Sequence, residues 1–438
     1  MEVVVSAAVL ILVVLGVMAA LDAVAGTAGA NKARTVAASL AEKDQEELRS
    51  LRTANLDTLR DLIPAPRTVD VDGVQYTITS DAQWVTDATG EDISCELPGG
   101  EGSFIRITST VTSPMTGKKV KPVVMSSIVS PQPGSGTLSA MVRDADGRPV
   151  VNMAVQANGP EVATKLTNEA GCAVFGSLDA GSYDVKLDQV GWVDPEGEQA
   201  PVQTVTVNAG ILSTVEFQYD LKAVINPASV VTKVGTAAPV PEQSTGVIVA
   251  HTGIPSTGFR IFNGPASTFA LDRLFPFRDP YRAYAGTCLG ADPSLYVPTY
   301  FDARAPFNAR LERGQTYTAQ IFEPYVNLRV RRSSSNRSNA YIYAYPTEAS
   351  CAGEQVILGP TDSAGVPPAG NRGLPFGDYD LCAQYTDTSF NPDRTWHVTG
   401  TSITNRDEAG HSTSTAARID LTVPTTPSGG NGPCPAPS

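Results

Sequence analysis

The spacing of apolar and polar positions divides the chain into one long helical stretch and a series of strand-like runs. Across residues 3–21 the only polar side chain is that of Ser6. A run of about 18–20 apolar residues is long enough to cross the hydrocarbon core of a bilayer as a helix. The pattern predicts that the lipid bilayer is a partner of the chain, contacted through residues 3–21 as a single transmembrane segment.

The helical pattern continues beyond the apolar run. Residues 30–62 are rich in Ala, Leu, Glu, Lys and Arg, which are strong helix formers, and the stretch ends at Pro64. Its larger apolar residues recur at helical spacing, at Val36, Leu40, Leu48, Leu51, Leu59 and Leu62. We predict that residues 1–64 form a transmembrane helix and an amphipathic stem.

Strand-like alternation begins after this stem. Residues 65–132 contain three or four runs of alternating apolar and polar residues, separated by Asp-Gly and Thr-Gly turns. In the first run Tyr76, Ile78 and Ser80 share one face, which could pack on the stem helix while the other face meets water. These residues are expected to form a small antiparallel sheet like that of a pilin.

Similar runs fill most of the remaining sequence, and they predict further β-sandwich modules followed by a Pro/Gly/Ser tail. The expected modules lie at 137–220, 221–305 and 315–425, and the tail lies at 426–438. The fold class is therefore expected to be an α+β N-terminal module, made of a long helix plus a small antiparallel sheet, followed by all-β sandwich modules.

A weak internal repeat relates two of these modules. The pattern Leu-x-x-Gly-x-Tyr occurs at Leu178, Gly181 and Tyr183, and again at Leu374, Gly377 and Tyr379.

The charge of the chain limits its partners. Among 438 residues the formal net charge is −13, with a sequence pI near 4.8. Nucleic acids and anionic membrane surfaces are bound through clusters of Lys and Arg, so no nucleic-acid partner is expected. An acidic, solvated exterior suits a surface protein.

The six cysteines form no C-x-x-C pair, and the chain has three histidines, so neither a metal site nor a cofactor is expected. Disulfides in an exported protein are the better interpretation. Cys351 and Cys382 lie in one module on strands that could be neighbours, and they are the first candidate pair. Cys95 and Cys172 are each alone in their modules, where they could be buried thiols, and Cys434 could tie down the tail.

A carboxylate, Glu2, opens the apolar helix, which runs without a break into RTVAASLAEKDQEELRSLR. This arrangement resembles the N-terminus of type IV pilins and pseudopilins. The resemblance implies that a prepilin peptidase removes a leader ending in Gly, that the new N-terminal residue is methylated, and that Glu2 pairs with the terminal amine of a neighbouring subunit. A carboxylate entering hydrocarbon is costly unless it meets a cation, so it would favour one register of assembly.

The alternative for Glu2 is a position in the lipid headgroup zone without an assembly role. In the family a leader precedes this glutamate, so we expect Met1 to be an internal start, with the leader encoded upstream.

The segment 137–220 resembles the carboxypeptidase regulatory-like domain, a transthyretin-type β-sandwich without catalysis of its own. The matching residues are Gly147, Pro149, Val150, Thr167, Gly171, Phe175, Leu178, Gly181 and Tyr183.

Four arginines form the only dense basic spot in this acidic chain, at Arg329, Arg331, Arg332 and Arg337. They surround a Ser/Asn-rich loop. A solvated hairpin tip is one interpretation, and contact with an anionic glycan or wall polymer is the other.

Motifs for catalysis are missing from the sequence. It contains no G-x-S-x-G, no H-E-x-x-H, no Walker loop and no G-x-G-x-x-G opening a helix. We expect no enzymatic activity, although an exported enzyme with a site assembled from scattered residues would be a rival hypothesis.

Together these features predict a single-pass membrane protein with extracellular C-terminal domains. The expected function is that of a minor or accessory type IV pilin-like subunit, which assembles with other pilin-like subunits on an assembly platform and displays sandwiches for adhesion. The rival is a signal-anchored surface protein that binds wall polymer or carbohydrate without a pilus.

Overall fold

The computed structural model describes residues 2–50, 66–86, 95, 103–113, 121–130, 134–232, 238–390, 392–405, 419–424 and 432–435, without the side chains of residues 2–6, 8, 22, 23, 84, 86, 103 and 419. The chain divides into two compact units. Unit 1 comprises Met1–Val142, Pro149–Leu187 and Val202–Phe217, and unit 2 comprises Arg143–Arg148, Asp188–Pro201 and Gln218–Ser438.

Unit 1 begins with one continuous helix, α1 (Glu2–Ser50). Within the described residues this is the one helix that is long and apolar enough to cross a membrane. Its first half exposes its apolar side chains, including those of Leu10, Leu12 and Leu15. The predicted continuation of the stem over 51–64 lies outside the described residues.

The second half of α1 carries a buried stripe at intervals of three and four residues, as expected for one face of a helix. The stripe consists of Ala33, Ala37, Ala41, Asp44, Gln45 and Leu48. The three alanines are small, so the helix axis can approach a neighbouring sheet closely.

That neighbour is a four-stranded antiparallel sheet in the order β1-β2-β3-β4. The strands are β1 (Arg67–Val71), β2 (Val74–Thr86), β3 (Ser103–Thr112) and β4 (Val123–Val129). Asp72 and Gly73 join β1 to β2 with φ of 54° and 76°, the left-handed pair that a two-residue hairpin favours. The predicted small sheet and its Asp-Gly turn are confirmed.

The predicted helix-facing side of the sheet is also confirmed. Tyr76 and Ile78 are buried against Ala37 and Ala41, together with Val111 of β3. Strand register places Ser80 of β2 opposite Ser109 of β3 on this same face. The result is an apolar interface with a polar centre.

A two-sheet β-sandwich follows the helix and its sheet. One sheet has the order β11-β9-β6-β7 and the other has the order β12-β5-β8. The strands are β5 (Ser135–Arg143), β6 (Ala154–Asn158), β7 (Val162–Leu166), β8 (Cys172–Asp179), β9 (Gly181–Leu187), β11 (Val202–Val207) and β12 (Leu212–Gln218). Strand β10 (Trp192–Val193) lies between β9 and β11 in sequence but belongs to unit 2.

Unit 2 contains two further sandwiches. Strands β13 to β20 are β13 (Asp220–Leu221), β14 (Ala223–Thr232), β15 (Val240–Pro241), β16 (Ser244–Ala250), β17 (Phe259–Ala266), β18 (Thr268–Leu274), β19 (Arg282–Ala285) and β20 (Thr316–Phe322). The first of these sandwiches pairs a sheet of β15, β14, β18 and β20 with a sheet of order β17-β16-β19, and β10 pairs with β13.

The final sandwich has a sheet of order β22-β21-β27 and a sheet of order β24-β23-β25-β26. Its strands are β21 (Leu328–Arg332), β22 (Ser335–Asn336), β23 (Tyr341–Pro346), β24 (Val356–Leu358), β25 (Gly377–Asp387), β26 (Arg394–Asn405) and β27 (Ile419–Val423). The predicted fold class is therefore confirmed.

One module boundary differs from the prediction. Strand β20, which was expected to open the last module at 315–425, pairs in parallel with β14 of the preceding sandwich. The change of sandwich falls at Glu323, directly after β20. Parallel pairing joins strands far apart in sequence, so local alternation cannot place β20 in one sandwich rather than the other.

The internal repeat has a common structure in its two copies. Tyr183 and Tyr379 are both buried, and each donates its hydroxyl hydrogen bond to the carbonyl four residues earlier, Asp179 at 3.0 Å and Pro375 at 3.1 Å. In each copy this hydrogen bond fixes the turn that precedes the strand. The predicted repeat is confirmed as a repeated strand entry.

The predicted disulfide between Cys351 and Cys382 is wrong. The bridges are Cys95–Cys172, Cys288–Cys351 and Cys382–Cys434. The expectation assumed that both cysteines lie on adjacent strands, but Cys351 lies in a 3-10 turn (Ala349–Cys351), and Tyr343 lies opposite Cys382 on β23. Cys95 and Cys172 are likewise paired rather than free thiols, and Cys434 does tie down the tail.

Candidate functional site

The interface between α1 and its sheet contains a buried carboxylate, Asp44, whose side chain is 1% exposed. Its oxygens accept hydrogen bonds from the hydroxyls of Ser80 and Ser109. The guanidinium of Arg67, from β1, forms an ion pair with the same carboxylate. A buried charge is tolerated when it is paired and hydrogen-bonded, and Asp44 meets both conditions.

The next residue of the helix extends this network. The Gln45 amide donates to the Ile107 carbonyl at 3.2 Å and to the Met125 carbonyl at 3.1 Å, and its oxygen accepts from Ser127 at 2.6 Å. These partners lie on β3 and β4. Together Asp44 and Gln45 bind all four strands of the sheet.

Such a network can fix the helix against the sheet in one register. A one-turn slide of α1 would move Asp44 away from both serines and leave a charge buried without partners. Apolar contacts alone would distinguish registers less sharply, because alanines repeat along the stripe. We name the set Asp44, Gln45, Arg67, Ser80 and Ser109 the stem network.

The predicted assembly residue, Glu2, lies at the start of α1, and its side chain lies outside the described residues. The helix that follows it exposes an apolar surface over 9–21. An exposed apolar surface of this size marks contact with a membrane or with other proteins. Thus, within the part of the chain that the structure describes, α1 combines an exposed apolar half with a half that is fixed to a sheet.

The four candidate arginines cluster at the β21–β22 hairpin, where they are engaged by acidic and aromatic groups. Arg329 makes two hydrogen bonds to Asp420, at 2.7 and 2.5 Å, and Arg331 makes a third at 3.1 Å. Hydrogen bonding to Arg329 lowers the pKa of Asp420. Contact of these arginines with an anionic polymer stays a prediction.

The other two arginines of the hairpin lie over aromatic rings. Arg332 pairs with Asp387 at 3.1 Å and lies 4.1 Å from the ring centre of Trp396. The guanidinium of Arg337 lies 5.2 Å from the ring of Tyr385. Each arginine of the cluster therefore contacts an acidic or an aromatic side chain.

The C-terminal tail contributes Pro435 to the lining of a cavity of about 730 Å³ in the last sandwich. The Cys382–Cys434 bridge holds the tail on β25, and the Tyr345 hydroxyl donates to the Pro435 carbonyl at 2.7 Å. The ionisable groups that line this cavity, apart from Tyr345, are the carboxyls of Glu348, Glu354 and Asp380.

A second cavity, of about 780 Å³, is lined by residues of the preceding sandwich that include His251. The His251 ring stacks on Phe277 with a centroid distance of 4.0 Å. Its Nδ1 accepts a hydrogen bond from the Gly253 amide at 2.8 Å, so the proton resides on Nε2, which donates to the Asp279 carbonyl at 3.1 Å. Burial lowers the pKa of His251.

We expect the His251 ring to titrate with a midpoint below about 6.5, the usual value for histidine. Because its folded-state pKa is depressed, its contribution to stability is present above the unfolded pKa and is lost as the pH falls below it. Titration of the full chain by NMR of histidine ring protons tests this expectation, with His251→Gln to assign the resonance. A midpoint at or above 6.5 would contradict it.

Within the described residues no group of three or more His, Cys, Asp or Glu side chains is placed to hold a metal ion.

Comparisons with known proteins leave the family open. No protein-family model matches the chain, and no curated protein matches it. Similar solved structures include the TIE protein of Bacillus anthracis, at 12% identity over 83% of this chain and 74% of that chain, with a TM-score of 0.20.

Two pilins are also similar. The minor pilin of Streptococcus agalactiae aligns at 13% identity over 43% of this chain and 95% of its own, with a TM-score of 0.20. The major pilin subunit of Bacillus cereus aligns at 11% identity over 66% of this chain and 99% of its own, again with a TM-score of 0.20. TM-scores this low do not establish a shared fold.

The class of protein is therefore defined by the chain's own elements. It has a long N-terminal helix with an exposed apolar half, an antiparallel sheet packed on the second half, and β-sandwich modules after the sheet.

Proposed function

We propose that this chain is a membrane-anchored, minor or accessory type IV pilin-like subunit that carries β-sandwich modules outward for adhesion. The observation that carries the proposal is the division of α1. One half presents apolar side chains without a described partner, and the other half is fixed to a four-stranded antiparallel sheet.

The division suits a subunit that is first held in a membrane and then packed among other helices. Before assembly the apolar half of α1 would lie in the bilayer. In a filament the same surface would be covered by the helices of neighbouring subunits. The stem network would keep the sheet and its attached sandwich in one orientation on the helix during this transfer.

Glu2 would select the register of assembly. Its carboxylate would pair with the terminal amine of a neighbouring subunit, after a prepilin peptidase has removed an upstream leader. The other partners are pilin-like subunits and the assembly platform, with a surface glycan or wall polymer at the sandwiches. The size of these sandwiches favours a minor or accessory place, because major subunits must fit side by side.

Replacing Glu2 by glutamine tests this role. We expect Glu2→Gln to lower the share of the protein in sheared surface filaments about tenfold, since one lost ion pair in hydrocarbon corresponds to about 1.4 kcal/mol or more. The membrane-bound share should stay high because the apolar run is intact. Glu46→Gln, an exposed change on the same helix, is the matched control.

Equal filament entry for Glu2→Gln and Glu46→Gln would contradict the assembly role of Glu2. A wild-type chain that never enters a filament fraction, while remaining on the cell surface, would favour the rival function, an anchored surface protein that binds wall polymer or carbohydrate.

A further inference from the structure

Two glutamates of unit 2 are buried, and neither forms a salt bridge with another described residue. Glu242 and Glu323 are 0% and 2% exposed. Glu242 lies just before β16, and Glu323 follows β20 directly. In each carboxyl group the Oε2 atom is buried and has no hydrogen-bond partner among the described residues.

The two carboxyl groups meet at one glycine, Gly373. A Cβ added at Gly373 would lie 2.5 Å from Cγ of Glu242 and 2.7 Å from Oε2 of Glu323. The two side chains therefore contact the same small volume, and a Cβ at residue 373 would displace both of them.

The surroundings stabilise one negative charge better than two. The Arg372 amide donates to Oε1 of Glu242 at 2.6 Å, and the Gly373 amide also bonds to this carboxylate. The Arg372 side chain is held by the Pro367 carbonyl and the Tyr325 hydroxyl, while acting on Glu242 through its charge.

Glu323 faces a different environment. Burial, and then the charge of Glu242, raise its pKa well above the usual value, while a hydrogen bond with the Ser244 hydroxyl opposes the shift. The nearby Tyr379 hydroxyl is a neutral donor to the Pro375 carbonyl. Two buried carboxyls beside the same glycine cannot both ionise at low cost, so they titrate as a coupled pair.

The pair lies where the two sandwiches of unit 2 join. The Gln243 amide donates to the Gly370 carbonyl at 2.9 Å, and the Leu374 amide donates to the Pro324 carbonyl at 3.0 Å. Residues 370–374 of the last sandwich are therefore fastened to the strand ends that carry Glu242 and Glu323.

We propose that Glu242 and Glu323 share one proton, and that this proton holds the two sandwiches of unit 2 together as a pH-sensitive joint. When the proton is present, the Glu323 carboxylic acid donates to the free oxygen of the Glu242 carboxylate. When it is lost, two buried carboxylates repel each other beside Gly373, and the segment 370–374 separates from β16 and β20.

The direction of the pH effect follows from linkage. The folded joint retains a proton that an unfolded glutamate releases near pH 4.3, so the joint weakens as the pH rises above this value. The weakening continues up to the pH at which the folded pair itself loses its proton, which is the upper limit of the effect. Between these limits opening becomes about tenfold more favourable per pH unit.

The test uses the full chain in detergent and the variants Glu323→Gln and Glu242→Gln. Infrared spectroscopy should show a protonated carboxyl band at neutral pH in the wild type, and Glu323→Gln should remove it. The exposed Glu348→Gln change is the matched control and should leave the band in place.

Hydrogen exchange of the Gln243 and Arg372 amides then reports the joint itself. After correction for intrinsic exchange, their rates in the wild type should rise about tenfold per pH unit, as opening does. Glu323→Gln should abolish this extra dependence, because a neutral amide cannot ionise.

Absence of a protonated carboxyl band at neutral pH would overturn the proposal, and so would identical exchange profiles in the wild type and Glu323→Gln. Stabilisation of the wild type by added Ca²⁺, lost in the double glutamine variant, would also overturn it by showing that a cation rather than a proton joins the pair. None of these results depends on pilus assembly.

Discussion

Replacing Asp44 with alanine is expected to lower the free energy of unfolding of unit 1 by about 3 kcal/mol. The change removes a fully buried carboxylate and leaves the hydroxyls of Ser80 and Ser109 and the guanidinium of Arg67 without their shared acceptor. The cost comes mainly from the two serine hydroxyls, which stay buried without their acceptor, because the half-exposed Arg67 keeps its ion pair with Glu47. Hydrogen exchange of the α1 amides over residues 33–48, in the full chain, measures the effect.

Asp81→Ala is the control for this change. Asp81 is the next residue after Ser80 on the same strand, but it lies on the exposed face of the sheet. We expect its loss to change stability by less than about 0.5 kcal/mol. Similar protection factors in the Asp44 and Asp81 variants would show that the stem network does not fix the helix.

Removal of the Cys288–Cys351 bridge is expected to have the second large effect. This bridge joins the segment after β19, in the first sandwich of unit 2, to the 3-10 turn of the last one, across a sequence separation of 63. In the chain-entropy account a loop of this length corresponds to about 4 kcal/mol. The double change Cys288→Ser and Cys351→Ser should therefore lower the free energy of unfolding of unit 2 by about that amount.

An aromatic contact between the two sandwiches shows where the loss of stability should be measured when the Cys288–Cys351 bridge is removed. Phe376 of the last sandwich belongs to the hydrophobic core of the preceding one and contacts Tyr300 edge-on at 5.4 Å. Hydrogen exchange should increase around Tyr300 and Phe376 when the bridge is absent. Changing Cys382 and Cys434 to serine should instead release the tail and increase exchange at its amides, with little change around Phe376.

An equal response around Phe376 in both double variants would contradict this assignment of the Cys288–Cys351 bridge to the contact between the two sandwiches.

The elements that follow from short-range pattern were predictable from sequence. The alternation around Tyr76 and Ile78 correctly identified the face that meets α1, because side chains on a strand alternate between two faces. The Leu-x-x-Gly-x-Tyr repeat likewise identified the two strand entries, since its hydrogen bond spans four residues. Helix and hairpin signals are local in the same way.

What the sequence did not reveal depends on contacts between distant segments. Asp44 and Gln45 look like ordinary surface positions in a charged stem, although their helical spacing from Ala37 and Ala41 could have placed them on the buried stripe. The cysteine pairing could not be derived, because six cysteines allow 15 connectivities. The residues around Glu323 in the sequence do not indicate that it is buried, because its burial follows from the parallel pairing of β20 with β14.

The central claim is that this chain enters a filament as a processed type IV pilin-like subunit. The most direct test is mass spectrometry of its mature N-terminus, on protein taken from both the membrane and the sheared-surface fraction. We predict a methylated residue a few positions before Glu2 in both fractions. An intact Met1-Glu2 end, confined to the membrane fraction, would contradict the claim, because the amine that Glu2 is expected to meet would not be formed.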